Sequence, residues 1–294
     1  MARFTTARGD HVVVDDEGVA IHYHVWRAAT PRAVVQIVHG VGEYATRYEH
    51  VAQTLVAAGY VVYAGDLRGH GQTGLEQYGG DLTRLGRLGP GGVPATIAGI
   101  RRISRIAVEE NPGLPLVLLG HSLGSIFAQM MLDVDVEPYD AVVLSGTAYR
   151  TLVHMNGGDL NKPWNAPGAS GTEWLSRDPA VTDAFAKDPL TFDAKVLDLF
   201  GLRETLRLLG TPRRIARDIP MLIQIGSEDT LGGPKSVERL ARAYRRRGRL
   251  SDVTVVVYPG ARHEVYNELN RAEVLADLVE WLRARVPAEP TRHS

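Results

Sequence analysis

Ser122, Asp229 and His263 are the residues on which this chain could build acyl-transfer chemistry. Ser122 lies in Gly120-His121-Ser122-Leu123-Gly124, after the apolar run Leu116-Val117-Leu118-Leu119 and before the helix-compatible run 125–131. A strand, then G-x-S-x-G, then a helix puts a serine on a sharp, strained turn with its hydroxyl above the sheet. Gly120 and Gly124 carry no side chains, so strand and helix can approach closely. A serine hydroxyl is a poor nucleophile at neutral pH. It needs a general base, and the base needs a third group to fix its tautomer. In this arrangement the chain order is Ser, then Asp or Glu, then His. Asp229 ends Gly226-Ser227-Glu228-Asp229, directly after the apolar run 221–225. Glu228 is the alternative acid, although a one-residue slip turns the side chain away. His263 is the only histidine in the loop after the run 253–257.

Each residue also has a bland role open to it. Ser122 could be a structural turn serine, Asp229 a cap for the following helix, and His263 an exposed loop histidine. Unrelated structural roles do not explain why all three stand beyond strand ends in the required order.

An oxyanion needs backbone N–H donors. Leu123, the residue after the nucleophile, supplies one. Val41 is the expected second, with Gly40 and Gly42 letting its amide turn inward. His39 and the segment Asp66-Leu67-Arg68-Gly69-His70-Gly71 read as structural, their polar groups tying loops together. His22 and His24 share a strand face, but no third ligand accompanies them, so a surface pair is favoured over a metal site. Arg242, Arg245, Arg246, Arg247 and Arg249 complement a helix C-terminus; attraction to anionic lipid is the sharper alternative.

The elements must place these loops together. Strands are expected at 11–14, 19–26, 33–38, 60–64, 116–119, 141–144, 221–225 and 253–257, the first two antiparallel. Helices are expected at 48–58, 93–110, 234–247 and 271–285 and after Ser122, with a glycine-rich loop over 65–92. Alternating strands and helices imply a mostly parallel sheet covered on both faces. The alternation fails between 147 and 217. Residues 1–146 and 218–294 therefore read as one α/β core, and 147–217 as a helical cap inserted over the C-terminal edge of the sheet, where ligands bind.

Composition narrows the partners. The 294 residues hold 33 Lys+Arg and 34 Asp+Glu, a balance that gives no reason to expect nucleic acid. Cysteine is absent, which removes disulfides and thiolate metal sites and fits a reducing compartment. The N-terminal ten residues have no apolar core of a secretory signal, and no run is long enough to span a membrane. A cytoplasmic protein is expected, with a frayed tail over 287–294.

The motifs together resemble the monoacylglycerol lipases, a family of α/β-hydrolases. The resemblance rests on His39-Gly40-Val41-Gly42-Glu43 with Arg47-Tyr48, on Asp66–Gly71, on the Ser122 motif and on Gly226-Ser227-Glu228-Asp229. Its most specific parts are Trp174-Leu175-Ser176-Arg177-Asp178-Pro179, Asp188-Pro189-Leu190 and His263-Glu264-Val265-Tyr266-Asn267-Glu268. It implies an α/β-hydrolase fold and hydrolysis of monoacylglycerols to glycerol and fatty acid, with Ser122, Asp229 and His263 as triad and Val41 and Leu123 as oxyanion donors. No metal or cofactor is implied. Ser125 departs from the family's usual second glycine, and the glycine-rich stretch 156–171 matches poorly. Other carboxylesterases, namely lysophospholipases, short-chain or aromatic ester hydrolases and thioesterases, use the same triad. So does a serine aminopeptidase, for which Asp159, Glu173, Asp178 and Asp183 could hold a free amine. Within the cap, Val196, Leu197, Leu199, Phe200, Leu202, Leu206, Leu208 and Leu209 are spaced for one apolar helical face. That face would either pack on a small core of the cap or form an acyl tunnel or a lip toward a membrane.

Overall fold

Five consecutive apolar runs decide the architecture. The strands β3 (Ala33–Val38), β4 (Tyr60–Gly65), β5 (Leu116–His121), β6 (Ala141–Ser145) and β7 (Met221–Gly226) are buried at every position. Strands this uniformly apolar need cover on both faces, which parallel pairing with crossover helices provides. The computed structural model describes residues 7–193 and 195–286. With β1 (Arg8–Val14), β2 (Ala20–Trp26) and β8 (Val253–Tyr258) the strands form one eight-stranded sheet in the order β1-β2-β4-β3-β5-β6-β7-β8. The pairs β1/β2 and β2/β4 are antiparallel and the rest parallel. The tail 287–294 lies outside the described residues.

Alternate strand residues feed two cores. Val34 and Val38 pack with α3 (Gly92–Glu110), α4 (Leu123–Leu132) and α7 (Gly233–Ala243) on one face; Val35 and Ile37 pack with α1 (Glu49–Ala57) and α8 (Arg271–Arg285) on the other.

Two expected elements differ. Residues 65–92 are not simply a loop, because α2 (Gly71–Gln77) forms within them. The Asp66 carboxylate accepts from the Gln72 N–H at 2.7 Å and from Ala45 N–H at 2.8 Å, satisfying a free donor at the start of α2. Gly71, at φ 53°, leaves room for that carboxylate. The helix expected over 234–247 stops at Ala243 and widens into a π turn over Tyr244–Gly248, ended by Arg249 in the left-handed region at φ 67°.

Among the described residues no strand lies between β6 and β7. That segment holds α5 (Pro179–Lys187) and α6 (Val196–Arg207). The single apolar face expected there does not form. Gly201, at φ 75° and ψ 168°, breaks α6 into two pieces. Leu197, Leu202 and Leu206 are more than half exposed, whereas Leu208 is buried in the main core, with Val196 and Phe200 half-buried against it. The two stems of the segment are fastened to the core through Arg150. Its guanidinium donates to Gln129 Oε1 at 3.2 Å and to Leu208 O at 3.1 Å and pairs with Asp133. Gly210 N–H donates to Arg150 O at 2.7 Å.

Candidate active site

Ser122 joins β5 to α4 with φ 50° and ψ −119°, a conformation that a residue with a Cβ adopts only under constraint. The constraint is close packing. A Cβ at Gly120 would sit 2.5 Å from Gly124 O, and one at Gly124 would strike the backbone of Val38 and His39. Ser122 N–H donates to Ser145 O at 2.9 Å, pinning the turn to β6. Ser125 does not disturb it, since its hydroxyl donates to Ser122 O at 2.6 Å and to Thr147 Oγ1 at 2.7 Å.

Leu123 opens α4, so its N–H has no carbonyl one turn back. Val41 follows β3 in the loop that includes Gly40, and Gly42 takes φ 79° with Phe192 O against the place its Cβ would fill. Among the described residues, neither the Val41 nor the Leu123 N–H donates to a protein acceptor.

Asp229 Oδ2 and His263 Nδ1 share a hydrogen bond of 2.9 Å, with side-chain exposures of 0% and 1%. The other oxygen of Asp229 accepts from Leu231 N–H at 2.8 Å, which fixes the carboxylate plane. Asp229 therefore does not cap α7. Glu228 is half exposed and lies 3.9 Å from Arg262 Nε. Burial alone would lower the His263 pKa, but the Asp229 charge and hydrogen bond outweigh it, and the net direction is upward. His263 Nε2 is buried without a hydrogen-bond partner. The ring of His121, next to Ser122 in the chain, lies 4.9 Å from the His263 ring. Burial holds His121 well below its ordinary pKa, so it is neutral and adds no charge.

Residues 29–270 match the family model described as serine aminopeptidase, S33. A monoacylglycerol lipase of Mycolicibacterium smegmatis is 34% identical, over 95% of this chain and 98% of its own length. The chain belongs to the monoacylglycerol lipase family of α/β-hydrolases. The human monoglyceride lipase is 26% identical over 95% of this chain and 92% of its own. A thermostable carboxyl esterase from Bacillus coagulans, solved in complex with glycerol, superposes with a TM-score of 0.83 at 23% identity, covering 96% of this chain and 100% of that one.

The motif residues Glu43, Arg47, Tyr48 and Glu264 join into one buried network. Glu43 Oε1 accepts from Gly40 N–H at 2.6 Å and from Tyr48 OH at 2.8 Å. Arg47 donates to Glu43 Oε2 at 3.0 Å and, through two nitrogens, to both oxygens of Glu264 at 2.9 and 3.0 Å. One guanidinium thus ties the Val41 loop to the neighbour of His263. Glu268, fully buried, accepts from the N–H groups of Arg177, Arg262 and Leu269 and from Arg177 Nε. The signal was present: two acids and an arginine near apolar loops predict a buried ion network, but only coordinates assign the pairs.

The segment between β6 and β7 reaches the same loop. His263 N–H donates to Trp174 O at 3.3 Å and Glu264 N–H to Leu175 O at 2.7 Å. The Trp174 ring stands 4.8 Å from the His263 ring at 38°. Asn161, itself buried, accepts from Trp174 N–H at 2.8 Å. On the acid side, Asn156 N–H donates to Leu231 O at 2.7 Å and Thr230 Oγ1 to Leu160 O at 2.7 Å.

The remaining candidates have structural partners. His39 Nδ1 bonds Gly40 O at 2.7 Å and its Nε2 accepts from Leu67 N–H at 2.9 Å; burial lowers its pKa to about 4. His22 pairs with Glu76 at 2.6 Å and His24 with Asp10 at 2.7 Å, each with its own carboxylate.

Proposed function

We propose that this chain is a serine hydrolase that cleaves monoacylglycerols to glycerol and fatty acid, with residues 147–217 as its cap and the cytoplasm as its location. The observation that carries the mechanism is the buried Asp229–His263 bond, with the second imidazole nitrogen left without a protein partner and the His263 ring 4.9 Å from that of His121, the neighbour of the strained Ser122 turn. The substrate class rests on the monoacylglycerol lipase relative, which spans nearly the whole chain. Leu197, Leu202 and Leu206 give the cap an apolar outer surface suited to a single acyl chain or to a membrane, consistent with small lipid or ester substrates. Among the described residues no helix is long and apolar enough to cross a membrane.

His263, oriented by Asp229, takes the Ser122 proton through Nε2 as Oγ attacks the ester carbonyl. The Val41 and Leu123 N–H groups stabilise the oxyanion. The tetrahedral intermediate collapses, the ester C–O bond breaks, and His263 gives its proton to the leaving alcohol. Water, deprotonated by His263, then attacks the acyl-enzyme and releases the fatty acid and free Ser122.

An aminopeptidase would need free carboxylates in the cap. Asp159 accepts from Asn161 N–H and Asn165 Nδ2, and Glu173 from Ser170, Gly171 and Asn161. Asp178 caps α5 and pairs with Arg271, and Asp183 pairs with Lys187. All four are engaged, which favours an ester over a peptide with a free amine.

The test is hydrolysis of mono-, di- and triacylglycerols, a lysophospholipid, short aryl esters and an aminoacyl anilide, with Ser122→Ala as control. Selective, Ser122-dependent release from monoacylglycerols supports the proposal. Activity confined to short or aromatic esters keeps the triad and removes the substrate; selective anilide cleavage replaces the reading with an aminopeptidase.

A further inference from the structure

Lys235, Arg239, Arg242 and Arg246 recur at spacings of four, three and four residues, and Arg249 follows three later. At about 100° per residue Lys235, Arg239 and Arg242 fall on one face of α7, and Arg246 and Arg249 follow in the π turn and at its left-handed end. All five are exposed. Among the described residues none of them forms an ion pair. Arg245 and Arg247 extend the patch, with only Val253 O and Tyr149 OH as partners. The exposed Arg213 and Arg214 adjoin it, because Ile215 N–H donates to Gly248 O at 3.1 Å. Glu238 shares a shallow groove with Arg242, Arg245 and Arg246 and pairs with none.

A helix C-terminus accounts for only part of this. Dipole complementation acts in the last turn, yet Lys235 stands in the first turn, where a cation is unfavourable, and Arg239 in the middle. Like charges at these spacings oppose helix formation. The chain as a whole carries a net charge of −1, so the cations are concentrated, not abundant.

Beside this helix the chain exposes an apolar pair. Leu152 and Val153 are 81% and 86% exposed. Their turn is held against α7, since Ser236 Oγ donates to His154 O at 2.7 Å and accepts from Tyr149 N–H at 2.9 Å. Cations beside apolar side chains that can enter a headgroup layer are the two signals that stable peripheral binding requires.

We propose that α7, with Arg213, Arg214 and the Leu152–Val153 turn, docks this protein on an anionic phospholipid surface. The choice of a membrane over another polyanion rests on the lipid substrate proposed above and on the apolar pair, which phosphate contacts alone would not use. The surface uses other residues than the exposed leucines of α6 (Leu197, Leu202 and Leu206) and brings the enzyme to the phase that holds its substrate.

The test is co-sedimentation with phosphatidylcholine vesicles with and without phosphatidylglycerol, at about 0.1 M and about 1 M salt, where screening lengths are about 10 Å and 3 Å. The wild type is expected to bind the anionic vesicles at least about tenfold more tightly and to lose most of that preference at high salt. At about fivefold per cation, Arg239→Gln/Arg242→Gln/Arg246→Gln should weaken binding about a hundredfold. Turnover of a soluble short ester should stay unchanged, which shows the variant is folded. Leu152→Ser/Val153→Ser should weaken binding at both salt concentrations. Equal binding to neutral vesicles, a triple variant that binds like wild type, or preference for a single-stranded RNA over the vesicles would each overturn the proposal. Vesicle binding as described in a protein that releases no fatty acid from monoacylglycerol would remove the substrate reading and leave the docking surface standing.

Discussion

Arg47→Met tests whether the buried ion network holds the two functional loops together. The guanidinium is 13% exposed, and the carboxylates of Glu43 and Glu264 are 3% and 4% exposed. Removing one partner of a buried ion pair costs about 3–5 kcal/mol, because the other charge stays buried. At about 2–4 °C per kcal/mol for a domain approaching this size, Tm should fall by at least about 6 °C. The pH dependence carries the reasoning further. Burial, reinforced by the neighbouring Glu264 charge, pushes Glu43 from its ordinary 4.5 up to about 7 despite Arg47. A raised pKa contributes stability below the unfolded value, and that contribution is lost as pH rises through the folded value. Burial would also raise Glu264, but Arg47 overrides it and holds the group at about 2. Its contribution is therefore present above about pH 4.5 and lost as pH falls toward about 2. Without Arg47, Glu264 joins Glu43 as a buried carboxyl with a raised pKa. The stability deficit of the variant should then be larger at about pH 8 than at about pH 5. Urea denaturation at both pH values measures it. A deficit under about 1 kcal/mol, or one that does not grow with pH, refutes the argument. Replacing Glu43, Arg47 and Glu264 together by apolar residues should recover much of the loss.

Three further outcomes are expected. Asp229→Asn should lower kcat by about 10⁴-fold with Tm nearly unchanged, because the base loses its tautomer while the fold keeps its shape; steady-state kinetics beside a melting curve checks this. Gly40→Ala would place a Cβ 2.9 Å from Ser122 Cβ and 2.8 Å from Glu43 Oε1, so kcat should fall at least about tenfold with circular dichroism unchanged; full activity would show that the loop can yield. The acid limb of kcat/KM should have its midpoint above the ordinary imidazole value of 6.5, since the raised His263 pKa requires a higher pH to free the base. Trp174→Leu removes the ring 4.8 Å from His263 and should move that midpoint down by about 0.5–1 pH unit through loss of a cation–π contact to the imidazolium, whereas Trp174→Phe should move it less.

The strands were legible because burial on both faces leaves only apolar residues, and runs such as Leu116-Val117-Leu118-Leu119 admit few other readings. The Asp229–His263 contact was legible for a related reason. A catalytic loop must follow a strand end, so the strand map confined the search to a few residues, and Asp229 and His263 do meet at 2.9 Å. The Ser122 turn was legible through its flanking glycines, whose absent side chains the packing requires. Three things were hidden. The helix α2 was masked by glycine content, because its stabilising group, Asp66, lies five residues upstream and acts through space. The apolar spacing over 196–209 was misleading, because one glycine in a left-handed conformation resets the helical phase. Glu43 and Arg47 are four residues apart, but Arg47 and Glu264, which close the network, are separated by 217, and periodicity carries no information at that range.

The placement of those hidden contacts bears on how substrate reaches Ser122. The segment between β6 and β7 is fixed at both stems by Arg150 and is hydrogen-bonded at Trp174 and Leu175 to the loop carrying His263. Arg177 adds a bond to buried Glu268, and Arg262 donates to Glu173 O at 2.7 Å and Ser176 O at 3.2 Å. A rigid-body swing of the whole segment would break all of these bonds and displace His263, the proposed general base. The helix α6 itself carries fewer ties, with Glu204 accepting from Val93 N–H at 2.9 Å, Gly201 interrupting the helix and three leucines facing solvent. Opening there leaves the His263 loop, the Val41 loop and the Arg47 network in register. The proposed chemistry would thus stay preorganised while only the exposed leucines of α6 rearrange.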